Sequence, residues 1–181
     1  MRQLKYHEQK LLKKVDFLQW KSDNPREQTI VRRFHLHNRE DYVKYNKICG
    51  HITRLASLVS QLQPDDPFRK KVADQLLDKL YNCGLISSKS TMSQLARVTA
   101  ASFCKRRLAS VLLSLKMSQH LEEATTLIQQ GHIRIGPEVI TEPAFFVTRT
   151  MEDFVTWVDQ SKIRRKIATY YNTVDDYDLM N

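Results

Sequence analysis

The run from Lys105 to Val147, KRRLASVLLSLKMSQHLEEATTLIQQGHIRIGPEVITEPAFFV, constrains the fold more than any other stretch of this chain. Its apolar residues first recur at helical spacing. Cys104, Leu108, Val111, Leu112 and Leu115 mark one stripe along a helix expected over about 100–115, with Thr99 as its N-cap. Leu121, Ala124, Leu127 and Ile128 mark a second stripe, with Ser118 placed to cap it and Gly131 to stop it. The period then changes from 3.6 to 2. In His132-Ile133-Arg134-Ile135 an extended strand buries Ile133 and Ile135 and sets His132 and Arg134 on the opposite face. Gly136-Pro137 turns the chain and Val139-Ile140 returns it, while Phe145-Phe146-Val147 and Phe154 to Val158 read as further strands. Two helices on a small antiparallel sheet are therefore expected.

Lys105, Arg106 and Arg107 stand in a row near the start of the first helix. On a helical wheel Lys105 and Arg107 flank the apolar stripe and Arg106 lies on the far side. Adjacent cations there repel one another and the helix dipole. They make physical sense as a phosphate clamp, with a solvated charge cluster as the plainer alternative.

The half before this run reads as helical. Residues 3–21 form a basic amphipathic stretch, with Leu4, Leu11, Val15 and Leu18 on one side and Lys5, Lys10, Lys13, Lys14 and Lys21 on the others. It is either a surface helix docked on the body or an arm laid along an RNA or partner groove. Ser22-Asp23-Asn24-Pro25 breaks it, and a basic connector with Arg32, Arg33, His35, His37 and Arg39 is expected to follow. From Arg39 to Leu62 a stripe of Tyr42, Tyr45, Ile48, Cys49, Ile52, Leu55, Ala56, Val59 and Leu62 predicts a long helix. Asp66-Pro67 then caps and opens another, whose apolar set starts at Phe68 and ends at Gly84. Residues 85–98 read as a polar connector with a short helical piece at Gln94-Leu95-Ala96. The fold class is α+β. Its expected divisions are a basic arm and connector at 1–38, a helical region at 39–98, the two-helix module at 99–158, and a C-terminal helix with an acidic tail at 159–181.

A net charge of +9 suggests a polyanionic partner, and the charge is uneven. Residues 1–50 carry 12 basic and 6 acidic side chains, while residues 150–181 carry 4 and 6, so the basic end should face nucleic acid. Asp175-Asp176-Tyr177-Asp178 would be repelled by RNA, and Lys162, Arg164, Arg165 and Lys166 could touch RNA or aid nuclear import. No apolar run approaches the roughly 20 residues of a membrane span. Cys49, Cys83 and Cys104 are isolated thiols without zinc-module spacing, which points to a reducing compartment. His35 and His37 have no Cys or carboxylate cluster beside them, so no metal site is expected. No Gly-rich phosphate loop and no nucleophile–base constellation suggest catalysis, and no cofactor or small-molecule substrate is expected.

The succession Arg107-Leu108, the Ser118 helix, Gly131-His132-Ile133-Arg134-Ile135, Pro143 and Val147 resembles the S4-type, or alpha-L, RNA-binding domain of small-subunit ribosomal protein S4. The likeness covers about residues 95–158. It implies two helices packed on a small sheet, binding structured RNA through shape and phosphates. Carried over by position, the implied contacts are Lys105, Arg106, Arg107, Lys116, His120, His132 and Arg134. The chain departs from the usual pattern at His120 and Thr125, where Arg is frequent, and at Gly136-Pro137, where Asn-Gly is common.

The flanks, Arg39 to Tyr42, Tyr45 to Gly50, Asp66 to Arg69 and Glu152 to Asp159, resemble the S4-type proteins of the U3 small nucleolar ribonucleoprotein over almost the whole chain. That resemblance implies a nucleolar, non-enzymatic assembly factor that helps U3 RNA pair with pre-ribosomal RNA during early small-subunit processing. Its implied partners are a large acidic phosphoprotein scaffold and a Brix-domain protein. A structural small-subunit ribosomal protein is the alternative reading. Cations along two RNAs lower their repulsion and release counterions, so binding should weaken steeply with salt. Replacing Arg106, Arg107 and Arg134 with Ala is expected to flatten that dependence and leave the fold intact.

Overall fold

The computed structural model describes residues 2–14 and 24–173. Val15, Leu18, Lys21, Ser22-Asp23 and the acidic run at 175–178 lie outside them. The fold is α+β, with helices through the first half and a small antiparallel sheet in the second.

Helix α1 spans Tyr6–Lys14 and buries none of its residues. Helix α2 spans Pro25–Arg33, in place of the expected connector. Asn24-Pro25, which reads as a break, is equally a helix start: the Asn24 side chain accepts from the Arg26 N–H and Pro25 takes the first helical position. Ile30, Val31, Phe34 and Leu36 then pack on Tyr42, Ala100 and Cys104. Buried Glu27 closes the corner by accepting from Arg39 Nε at 2.7 Å.

Helix α3 spans Arg39–Gln61 and α4 spans Pro67–Asn82, with the Asp66 carboxylate accepting from the Phe68 N–H. Cys49, Ile52 and Ala56 meet Leu77 and Leu80 in one core. Ile86, Leu95, Val98 and Phe103 complete it, so the expected polar connector supplies core residues, Leu95 among them from a 3₁₀ turn at Met92–Arg97. The buried stripe is narrower than the apolar pattern implies. Ile48, Leu55 and Phe68 are exposed, because α4 covers only one side of α3.

The helix expected over 100–115 is two helices, α5 at Ala100–Cys104 and α6 at Leu108–Ser114. Arg107 between them is extended, at φ −70° and ψ 145°. The backbone around it bonds to the segment expected as a strand: Leu108 N–H donates to Phe145 O at 2.8 Å, and Val147 N–H to Arg106 O at 2.9 Å. Phe145 to Val147 therefore pairs with the helix break rather than joining the sheet. Long-range backbone bonds here outweigh the continuous helical period.

Helix α7 spans Leu121–Gln129, with His120 rather than Ser118 at its N-cap, and Ser118 is itself buried. Strands β1 at Ile133–Ile135 and β2 at Glu138–Val139 follow, then α8 at Arg149–Glu152, β3 at Val155–Trp157 and α9 at Lys162–Tyr170. The sheet order is β2-β1-β3, with Arg134 opposite both Val139 and Thr156. Leu108, Val111, Leu112, Ala124, Ile128, Ile133, Val147 and Val155 form the core of this half.

Candidate nucleic-acid interface

The three adjacent cations do not form one exposed clamp. Because the helix breaks at Arg107, each points to a different environment. Lys105 is exposed. Arg106 is 13% exposed: its Nε donates to Val147 O at 2.9 Å and Nη1 to Glu152 Oε2 at 2.8 Å. Its guanidinium lies over Gly84, where an added Cβ would come within 2.8 Å of Cζ. The Arg107 side chain is 6% exposed and reaches α3, donating to Asp41 Oδ2 at 2.9 Å and Tyr45 Oη at 3.4 Å. Arg149 of α8 adds a third link, donating to Ile86 O at 2.8 Å with its guanidinium 4.0 Å over the Tyr81 ring. Arg106, Arg107 and Arg149 thus tie the sheet-bearing half to the α3–α4 half. Their partners lie tens of residues away in sequence, so spacing alone could not reveal them.

Lys116 and His120 are exposed in the α6–α7 loop. Lys116 holds φ +60°. Its N–H donates to Leu113 O at 3.2 Å and that of Met117 to Leu112 O at 3.0 Å, the helix-ending bond pair usually built on glycine. The same closure uses Gly84 and Gly131 after α4 and α7. A lysine in this conformation bears a steric cost that glycine avoids. His120 opens α7 beside Glu122 and Glu123, and Glu123 Oε2 accepts from the Gln119 N–H at 2.9 Å. The positive end of α7 is therefore already met by its own carboxylates.

His132 and Arg134 are partnered. His132 Nδ1 lies 3.0 Å from Ser161 Oγ. Arg134 donates to Thr156 Oγ1 at 3.2 Å and to Asp159 Oδ2 at 2.5 Å, and Asp159 also pairs with Arg164. Of the seven expected contacts, Lys105, Lys116 and His120 stand open to solvent, and the other four are engaged within the protein. Sequence reasoning passed over a further basic set on α3. Lys44, Lys47 and Arg54 are its cations after Asp41, and no carboxylate follows Asp41 on that helix, a signal legible in the sequence.

The arrangement offers cationic donors rather than reactive groups. Burial pushes the Cys104 thiol up to about 11, so it stays protonated and inert. Burial likewise raises Cys49, Tyr42 and Tyr45. No group of three or more metal-ligating side chains occurs among the described residues.

The model of the ribosomal protein S4/S9 N-terminal domain matches residues 3–122, and the S4 domain matches residues 106–153. U3 small nucleolar ribonucleoprotein protein IMP3 of Saccharomyces cerevisiae is 52% identical over 181 residues, covering 99% of each chain. The protein of the same name from Homo sapiens is 50% identical, covering 99% of this chain and 98% of its own. Small ribosomal subunit protein uS4 of Hyperthermus butylicus is 27% identical over 141 residues, covering 78% of this chain and 79% of its own. The chain belongs to the IMP3 family of S4-domain proteins.

Proposed function

We propose that this protein is an RNA-binding component of the U3 small nucleolar ribonucleoprotein, acting without catalysis in early small-subunit ribosomal RNA processing. The observation that carries the reading is end-to-end similarity, near half identity, to relatives bearing that particle's name. The open cations Lys105 and Lys116 with His120 support an RNA face on the S4 module. On this reading they touch phosphates, while base pairing between U3 RNA and pre-ribosomal RNA supplies the sequence. Screening the phosphates of both strands favours that pairing. His132 and Arg134 keep Ser161 and Asp159 as partners and act as positioning residues of the module. The site of action is the nucleolus, and the protein partners are an acidic phosphoprotein scaffold and a Brix-domain protein.

The test is retention and annealing of U3 RNA and a pre-ribosomal RNA fragment by the full-length protein across a salt series. Faster annealing that weakens with salt and depends on Lys105 and Lys116 is expected. Annealing unchanged by the protein would sink the pairing role. The likeness to uS4 favours a second reading, a structural ribosomal protein. Co-sedimentation separates them, since a ribosomal protein stays with mature subunits and an assembly factor leaves.

A further inference from the structure

We propose that helix α9 is a second RNA-contact element, on which an unpaired base stacks beside the S4 module. This rests on the RNA-binding reading above. Tyr170 and Tyr171, at the end of α9, are 81% and 68% exposed, their rings edge to face at 5.2 Å between centroids. Large aromatic faces left in water are the feature on which single-stranded nucleic acid stacks. Lys162, Lys166 and Tyr170 recur every four residues and so share one side of the helix, with Arg165 and Thr169 beside them. Lys162, Arg165 and Lys166 are exposed, and no carboxylate pairs with any of them among the described residues. α9 itself contains no acidic residue.

The helix is held where it is needed. Buried Ser161 caps it, with Oγ accepting from the Ile163 N–H at 3.2 Å and meeting His132 Nδ1 at 3.0 Å. Val158 N–H donates to His132 O at 3.0 Å, and Asp159 joins Arg134 to Arg164. The start of α9 is therefore fixed to the start of β1, next to Arg134. Polarity along the helix matches a nucleotide chain. Cations and the positive dipole end lie toward Lys162, which suits phosphate, while the carbonyl end at Tyr170 disfavours phosphate and accepts a neutral base. Ile163 and Ile167 lie beside Tyr170 on one flank of the helix and the exposed cations Lys162, Arg165 and Lys166 on the other, so the charge next to the ring favours a polyanion as its occupant. A base gains a ring face flanked by phosphate partners.

The experiment compares binding of full-length protein to a blunt RNA duplex and to the same duplex with a short unpaired extension. Wild type is expected to bind the extended probe more tightly. Tyr170→Leu should weaken binding to the extended probe about tenfold or more, within the range for one stacked base, and leave the blunt duplex unaffected. Tyr170→Phe should bind as wild type. Lys162→Gln with Lys166→Gln should flatten the salt slope for the extended probe by about 0.7 for each phosphate no longer neutralised. Tyr170 is not buried, so unchanged thermal unfolding checks the fold of each variant. Tyr170→Leu binding like wild type, or weakened equally on both probes, would overturn the proposal. A wild type that binds both probes equally also overturns it while leaving the RNA-binding reading in place. Retention of neither probe refutes that reading itself.

Discussion

Arg107→Ala separates a structural from an RNA-contacting arginine. Arg107 and Asp41 are 6% and 19% exposed and meet at 2.9 Å, and Tyr45 Oη lies within 3.4 Å. Removing one partner of a buried pair leaves the other charge desolvated, which costs about 3–5 kcal/mol. Asp41 keeps some solvent access, so the lower end, about 3 kcal/mol, is expected here. That is a large part of the roughly 5–15 kcal/mol that separates folded from unfolded states in a domain. In urea, with a slope of about 2 kcal/mol/M, the midpoint should fall by about 1.5 M. Arg107→Met combined with Asp41→Leu removes both charges and should recover most of that stability, a coupling of about 2 kcal/mol in the double-mutant cycle. At low temperature, where Arg107→Ala stays folded, its RNA salt slope should match wild type, because a buried guanidinium releases no counterion. The fold is thus not expected to stay intact when Arg106, Arg107 and Arg134 are all replaced with Ala. An Arg107→Ala midpoint equal to wild type, with a flattened salt slope, would refute this account.

Two glycines should respond oppositely to Ala. Gly50→Ala fills open space within α3 and should stabilise by about 0.5–1 kcal/mol, whereas Gly84→Ala, at φ +76° and 2.8 Å from the Arg106 guanidinium, should destabilise by more than that; urea unfolding reads both. Lys116→Gly should stabilise by about 1 kcal/mol through its φ of +60° yet weaken RNA retention, so opposite signs in unfolding and binding are the mark of a cation kept at a steric cost. Cys104 is raised to about 11 from 9.0, so its contribution is complete below pH 9 and is lost as pH rises through 11. Unfolding curves should show that alkaline loss, amounting to about 3 kcal/mol, and Cys104→Ala should reduce it. A thiol reagent should reach partly exposed Cys83 first and buried Cys49 and Cys104 only on unfolding.

Much of the architecture was legible in the chain. Apolar period and cap chemistry are local, and they located α3, α4, α7 and β1 to within a few residues. The same local signals left a connector after Asn24-Pro25 where α2 forms, because a helix start and a chain break use the same residues. They also joined α5 to α6, because the strand-like partner that splits them, Phe145 to Val147, arrives about forty residues later.

The candidate interface divides the same way. By itself the sequence determined that the chain is basic, that it carries an S4-type module and which cations are candidates, since charge and residue order are written in it. Only the tertiary structure decided which of those cations are free. Arg106 and Arg107 lie next to exposed Lys105, yet both are engaged because Glu152 and Asp41 fold against them from distant elements. A charge is available to RNA only when no nearer carboxylate holds it, and that distance exists only in the folded chain.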